Sequence, residues 1–298
     1  MAIDTATFKK RALTALLFVA VMLTGLLWNQ WSFFILFSII HFGCWKEFQQ
    51  IIGNIDPEYD KISVFQKHGI RIAGWSFLMF CTNDEFHLGP IPLHALGLWM
   101  GITFLFVLPL IELLFARSIR PKNIFYSVAG FIYISVPAGL CMDLYDPGTF
   151  QADGMAVNIP QGYTVILIIF AIWINDTMAY IVGSMIGKTP LSKISPKKTW
   201  EGTIGGIVLG TTVLSIVFYA FSGMKQLLVP AMALLAIATI SGTLGDLLES
   251  KLKRLAGIKD SGSFMPGHGG FLDRFDSLLI AIPVCWIFIR LYQTVFAS

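Results

Sequence analysis

The sequence predicts an all-α polytopic membrane protein of about nine transmembrane helices, its N-terminus cytoplasmic and its C-terminus outside. Composition is the first reason: 55% of the 298 residues are hydrophobic, only 13% are charged, and the mean hydropathy is +0.71, too apolar for an ordinary soluble domain. The second is spacing. A helix needs about 20 apolar residues to cross a hydrocarbon core of about 30 Å, and nine stretches are candidates: roughly 12–28, 31–45, 70–81 (short), 93–115, 124–141, 163–187, 203–222, 230–249 and 271–296. The third is the placement of charge. Lys9, Lys10 and Arg11 precede the first stretch directly, which orients it with the N-terminus inside. Nine crossings then put all of the 21 Lys and Arg residues except Lys225 and Arg290 on the inner side. The outer loops near 82–92 and 142–162 hold Asp84, Glu85, Asp143, Asp146 and Asp153 and no basic residue, so two separate segments agree.

The first stretch has no small-residue cleavage site followed by a soluble domain, and it reads as a membrane helix rather than a removable signal peptide. Cys44, Cys81, Cys141 and Cys285 show no CxxC spacing, so they are expected as buried free thiols. The basic inner surface favours anionic headgroups and nucleotide phosphates as partners, with no nucleic acid expected. No repeat or linker divides the chain. Residues 1–298 are expected to form a single integral membrane domain, with 1–160 mainly scaffold helices and 163–298 catalytic helices and cytoplasmic loops. Apart from Glu112, the ionisable groups inside spans concentrate after position 175.

In the sixth stretch Asn175 and Asp176 interrupt an apolar run, where a carboxylate costs about 2.5–3.5 kcal/mol on insertion scales. Asp176 should therefore face protein or water, with Tyr180 on the same face and Gly183 and Gly187 continuing it as a small-residue strip. A helix-to-helix hydrogen bond is the plainer account of the same Asp. The following inner loop, Gly187 to Gly202, carries four lysines and two prolines, which forbid a continuous helix. It is not a phosphate-binding P-loop, because the motif ending at Thr189 needs glycine where Val182 stands.

Asp246 and Glu249 at the end of the eighth stretch, and Asp273 and Asp276 at the start of the ninth, are both spaced i, i+3, so each pair shares a helix face. Should the two helix ends be neighbours, four carboxylates converge and need cations. Mg²⁺ suits them: oxygen ligands, one or two carboxylates per ion, the rest water and substrate phosphate. A purely structural alternative exists, since acids are favoured in a first helical turn and Lys253, Arg254 and Arg274 could pair with them. Against it stands His268-Gly269-Gly270, where glycines permit close backbone approach and helix-start N–H groups can hold phosphate. Metal ligands, an anion-binding turn and basic residues together point to phosphoryl or nucleotidyl transfer.

Ser250-Lys251-Leu252-Lys253-Arg254, Lys259-Asp260 and Pro266-Gly267-His268-Gly269-Gly270-Phe271-Leu272-Asp273-Arg274-Phe275-Asp276 resemble the signature of the CDP-diacylglycerol synthases, or phosphatidate cytidylyltransferases. Ser195-Pro196-Lys197-Lys198-Thr199-Trp200-Glu201-Gly202 and Asn175-Asp176 are similar to two further family segments in the same order. The resemblance is strong over about 163–298, and in the N-terminal half it is one of hydrophobic pattern. Ser263-Phe264-Met265 and Lys198 depart from the family pattern without removing an identifiable ligand. The resemblance implies transfer of CMP from CTP to phosphatidic acid, giving CDP-diacylglycerol and pyrophosphate, at the cytoplasmic side of a bacterial-type inner membrane. It implies Mg²⁺ at two cation sites, the second ion's identity being open, and a homodimer. Asp246, Asp273 and Asp276 are the expected metal ligands, Glu249 completes or orients their shell, and Asp176 assists. Ser195, Lys197, Lys198, Lys253, Arg254, Lys259, Gly269, Gly270 and Arg274 are expected to bind substrate, and His268 to shape the turn around the phosphates.

Three other readings compete. A CDP-alcohol phosphotransferase needs D-G-x-x-A-R, but Asp153-Gly154 is followed by Met155-Ala156-Val157. A polyprenyl-phosphate transferase has less motif support still. A cation-coupled transporter should show related interrupted helices in both halves, and the two halves carry no such pair.

Overall fold

Every one of the nine apolar stretches forms helix in the structure, a computed structural model that describes residues 5–115, 120–152, 155–264 and 269–296. The helices are α1 (Thr5–Leu27), α2 (Gln30–Ile55), α3 (Val64–Phe80), α4 (Leu93–Ile102), α5 (Leu108–Phe115), α6 (Pro121–Gly130), α7 (Val136–Asp143), α8 (Tyr163–Ile186), α9 (Trp200–Ser222), α10 (Leu228–Leu255) and α11 (Leu272–Phe296). A π-helical turn, Thr103–Val107, joins α4 to α5, and another, Phe131–Ser135, joins α6 to α7. Among the described residues six segments are long and apolar enough to cross a membrane: Leu93–Ile111, Pro121–Asp143, Tyr163–Ile186, Trp200–Ser222, Lys225–Leu255 and Leu272–Phe296. The protein is a multi-pass membrane protein.

The second and third stretches fall short of that measure for visible reasons. Helix α3 has only 17 residues. The 26 residues of α2 are long enough, but it carries His41, Lys46, Glu47, Gln49 and Gln50. Two short antiparallel hairpins, unforeseen in the sequence, lie in the loops near 82–92 and 142–162: β1 (His87–Leu88) with β2 (Ile91–Pro92), and β3 (Thr149–Ala152) with β4 (Met155–Asn158). Strands of two to four residues are too short to show a period-2 alternation.

The chain divides into two compact units. The first comprises Met1–Met142 and Leu252–Phe275, the second Asp143–Lys251 and Asp276–Ser298. In the first unit, Asn29 caps α2 by accepting from Ser32 N at 2.8 Å, and α2 then buries Phe33, Phe37, Trp45 and Phe48. Ser135, in the second π turn, accepts from Trp45 Nε1 at 2.9 Å and lies 3.0 Å from His41 Nε2. A polar anchor of this kind suits apolar surroundings, where van der Waals contact alone gives little direction.

In the second unit α8 packs on α9 through small residues. A side chain at Gly206 would meet Asn175 O and Ala179 Cβ, both at 2.8 Å, and one at Gly202 would meet Gly183 Cα at 2.9 Å. The expected strip of Gly183 and Gly187 is therefore present, but the face it continues begins one residue earlier than expected. It runs at four-residue intervals through Asn175, Ala179, Gly183 and Gly187, not through Asp176 and Tyr180, both of which are exposed. Gly206→Leu is expected to force the helices apart, costing about 1–3 kcal/mol or more as overpacking. Loss of monodisperse protein in detergent or a clear fall in Tm would bear this out, and an unchanged Tm would sink the packing account.

Arg290, one of the two basic residues that the expected topology does not place inside, pairs with Asp143. The same carboxylate accepts from Trp286 Nε1 at 2.5 Å, and Gln293 Nε2 donates to Pro147 O at 2.7 Å. These contacts tie α11 to the end of α7. All four cysteines are free; Cys44, Cys141 and Cys285 are buried as expected, and Cys81 is only partly so.

Candidate active site

In the second unit the lysine-rich loop is folded, not slack. Glu201, in the first turn of α9, accepts from Lys188 N and Thr189 N at 3.2 Å and from Thr189 Oγ1 at 2.8 Å. Leu191 N donates to Lys198 O at 2.8 Å, Trp200 N to Thr189 O at 2.9 Å and Lys198 N to Ser195 O at 3.1 Å. Thr199 caps α9 by accepting from Gly202 N at 3.1 Å. This framework sets Lys198 Nζ 2.7 Å from Asp246 Oδ2. Lys197 beside it is exposed.

Asp246 and Glu249 lie on α10, and their environments differ. The Asp246 side chain is 28% exposed, whereas Glu249 is fully buried and Asp276 nearly so. Asp276 Oδ1 accepts from Ser277 N at 2.6 Å. Here α10 and α11 approach closely: a side chain at Gly245 would meet Ser277 Cα at 2.9 Å, with Asp276 O nearer still. Glycine is thus what lets two acid-bearing helices touch beside Asp246. Among the described residues no group of three or more His, Cys, Asp or Glu side chains is arranged to hold a metal. The donor set nevertheless fits Mg²⁺, which is hard, takes oxygen ligands and needs only one or two carboxylates.

In the first unit Asp273 is fully engaged. Its Oδ1 accepts from Lys253 Nζ at 2.6 Å, and its Oδ2 from Ser261 N at 2.9 Å, Ser261 Oγ at 3.0 Å and Gly270 N at 2.8 Å. Glu47 reaches from α2 to the same turn. It accepts from Phe271 N and Leu272 N, both at 2.8 Å, and from Ser261 Oγ at 2.6 Å. This is the backbone that the sequence reading assigned to substrate phosphate, and here it meets protein carboxylates. The N–H groups of Gly270, Phe271 and Leu272 are taken by Asp273 and Glu47, because the positive end of a helix attracts carboxylates from within the protein as readily as from a ligand.

Glycine is required at three points of this turn. Gly269 has φ +84°, and side chains at Gly262 and Gly270 would run into the Glu47 carboxylate. His268 lies outside the described residues, as do Pro266, Gly267, Arg117 and Asp153, and the Glu112 side chain is not described. Arg254 Nη1 donates to Ile258 O at 3.4 Å. Arg254, Lys259 and Arg274 are exposed, as is Asp176.

Residues 9–292 match the model of the cytidylyltransferase family. The chain belongs to the cytidylyltransferase family. A phosphatidate cytidylyltransferase of Haemophilus influenzae is 30% identical over 300 residues, covering 92% of this chain and 96% of that protein. One of Bacillus subtilis is 37% identical over 190 residues, or 61% of this chain and 66% of the relative. A chloroplastic phosphatidate cytidylyltransferase 5 of Arabidopsis thaliana is 44% identical over 132 residues, 44% of this chain and 33% of the relative. In the latter two the matched region is thus less than two thirds of the relative's length.

In this cytidylyltransferase-family chain the sequence reading located Lys198, Asp246, Lys253 and Asp273, each held in an ion pair. It missed Glu47 and gave Glu201 no role. Glu201 could have been found from its place two residues after the capping Thr199. Glu47 lies just past the second apolar stretch among Lys46, Gln49 and Gln50, with nothing local to say what it meets.

Proposed function

We propose that the protein transfers CMP from CTP to phosphatidic acid, giving CDP-diacylglycerol and pyrophosphate, at the cytoplasmic face of a bacterial-type inner membrane. Besides family membership, the observation that carries this reading is Lys198 held against Asp246 by a folded loop. A cation and a carboxylate fixed together at a helix end suit a polyanionic substrate. The phosphate monoester of the lipid, with a second pKa of about 6, is already largely ionised at neutral pH. Its oxygen attacks the α-phosphorus of CTP, the bond from that phosphorus to the bridging oxygen of the β-phosphate breaks, and pyrophosphate leaves. No strong general base is needed, and catalysis is mainly positioning and charge neutralisation.

Lys197 and Lys198 neutralise phosphate charge, with Glu201 holding the loop that presents them. Exposed Arg254, Lys259 and Arg274 draw anionic substrates to the surface. Mg²⁺, when bound, would be held by Asp246 and Asp276, with Glu249 orienting that shell, and would supply further neutralisation of the triphosphate. A second cation, nine crossings with the N-terminus inside, and a homodimer complete the reading.

The test uses purified protein in mixed micelles with phosphatidic acid, each of the four nucleoside triphosphates and Mg²⁺, scoring lipid-linked nucleotide and pyrophosphate. CTP-selective product that disappears with chelator is the expected result. No product with any nucleotide would overturn it.

A further inference from the structure

We infer that Glu47, in the half of the chain that reads as scaffold, is a positioning residue that holds the start of α11 and the turn before it in working geometry. The side chain is 5% exposed and bridges Phe271 N, Leu272 N and the Ser261 hydroxyl. A buried carboxylate is costly unless fully hydrogen-bonded. Here two helix-start amides and a hydroxyl meet that demand, and the helix dipole adds to it. The fit is mutual, because Gly262 and Gly270 leave the room that the Glu47 carboxylate fills.

Ser261 couples Glu47 to the acid that follows. Its hydroxyl lies 2.6 Å from Glu47 Oε2 and 3.0 Å from Asp273 Oδ2, and Asp273 N donates back to it at 3.2 Å. Glu47, Ser261 and Asp273 therefore form one network, in which Glu47 supplies the contact of longest sequence separation. It touches no substrate in this account and acts through the turn.

The inference rests on cytidylyl transfer for its kinetic arm only. The experiment compares full-length wild type, Glu47→Gln, Ser261→Ala and the double variant in detergent, by CTP turnover with phosphatidic acid and by amide hydrogen exchange. Gln keeps the size but turns an NH₂ group toward donors. Expected are a fall in kcat of about 10- to 100-fold, the scale seen when an orienting partner is lost, with KM for CTP within about threefold. Exchange should accelerate at least about tenfold for Phe271 and Leu272 and stay unchanged in α3. Ser261→Ala should move both readouts the same way and add little to Glu47→Gln, since the two act in one network. Unchanged kcat, multiplicative effects in the double variant, or exchange accelerated throughout the first unit would each overturn the inference. Should wild type itself make no CDP-lipid, the reaction reading fails, and the exchange pattern alone decides whether Glu47 holds the turn.

Discussion

Asp246→Asn is expected to lower turnover at least about 100-fold, on the scale of losing an interaction that stabilises developing charge, and to raise the Mg²⁺ concentration needed for half-maximal rate. The reason is the pairing with Lys198 at 2.7 Å. A part-exposed ion pair contributes only about 0–1 kcal/mol to stability, so these two residues are not brought together chiefly to hold the fold. Lys198→Ala should lower turnover as well, with little change in Tm. A double-mutant cycle separates the roles. If Asp246 served only to hold Lys198, the double variant would be no worse than Lys198→Ala and the Mg²⁺ titration would not move. A titration midpoint that stays at the wild-type value in Asp246→Asn would remove Asp246 from the proposed cation site.

Legibility in the sequence followed the range of the interaction. Hydropathy and length located the six segments long and apolar enough to cross a membrane, because the membrane imposes a local requirement on a span. Prolines marked the loop before α9 for an equally local reason. On α8 the strip of Gly183 and Gly187 was found, but the start of its face was misplaced by one residue. Asp176 drew attention as the charged group, although the four-residue spacing that meets α9 begins at Asn175. The turn before α11 was read least well. Its glycines signalled close approach correctly, but what approaches is the Glu47 carboxylate, more than 200 positions away in sequence. No periodicity or motif reports such a pair, so a half that reads as scaffold contributes the acid that closes the turn.

Asp273→Asn distinguishes a metal ligand from a turn organiser. In the structure Asp273 satisfies Lys253, Ser261 and Gly270 together, and its side chain is only 9% exposed. Metal ligation would require Lys253 or the turn amides to give way. An amide at this position can accept on one side only and would present N–H groups to Lys253 or to Ser261 and Gly270. It would also leave the Lys253 ammonium, whose side chain is 14% exposed, without its charge partner. Breaking a buried pair from one side costs about 3–5 kcal/mol, so turnover should fall at least about 100-fold together with a lower Tm. In an organiser the residual activity should keep the wild-type Mg²⁺ midpoint, unlike that of Asp246→Asn. Lys253→Met, which deletes the cation, should then relax Asp273 and also lower activity. Should Asp273→Asn instead leave Tm intact and shift the Mg²⁺ midpoint upward, Asp273 ligates the cation during turnover, and its protein contacts belong to the resting turn alone.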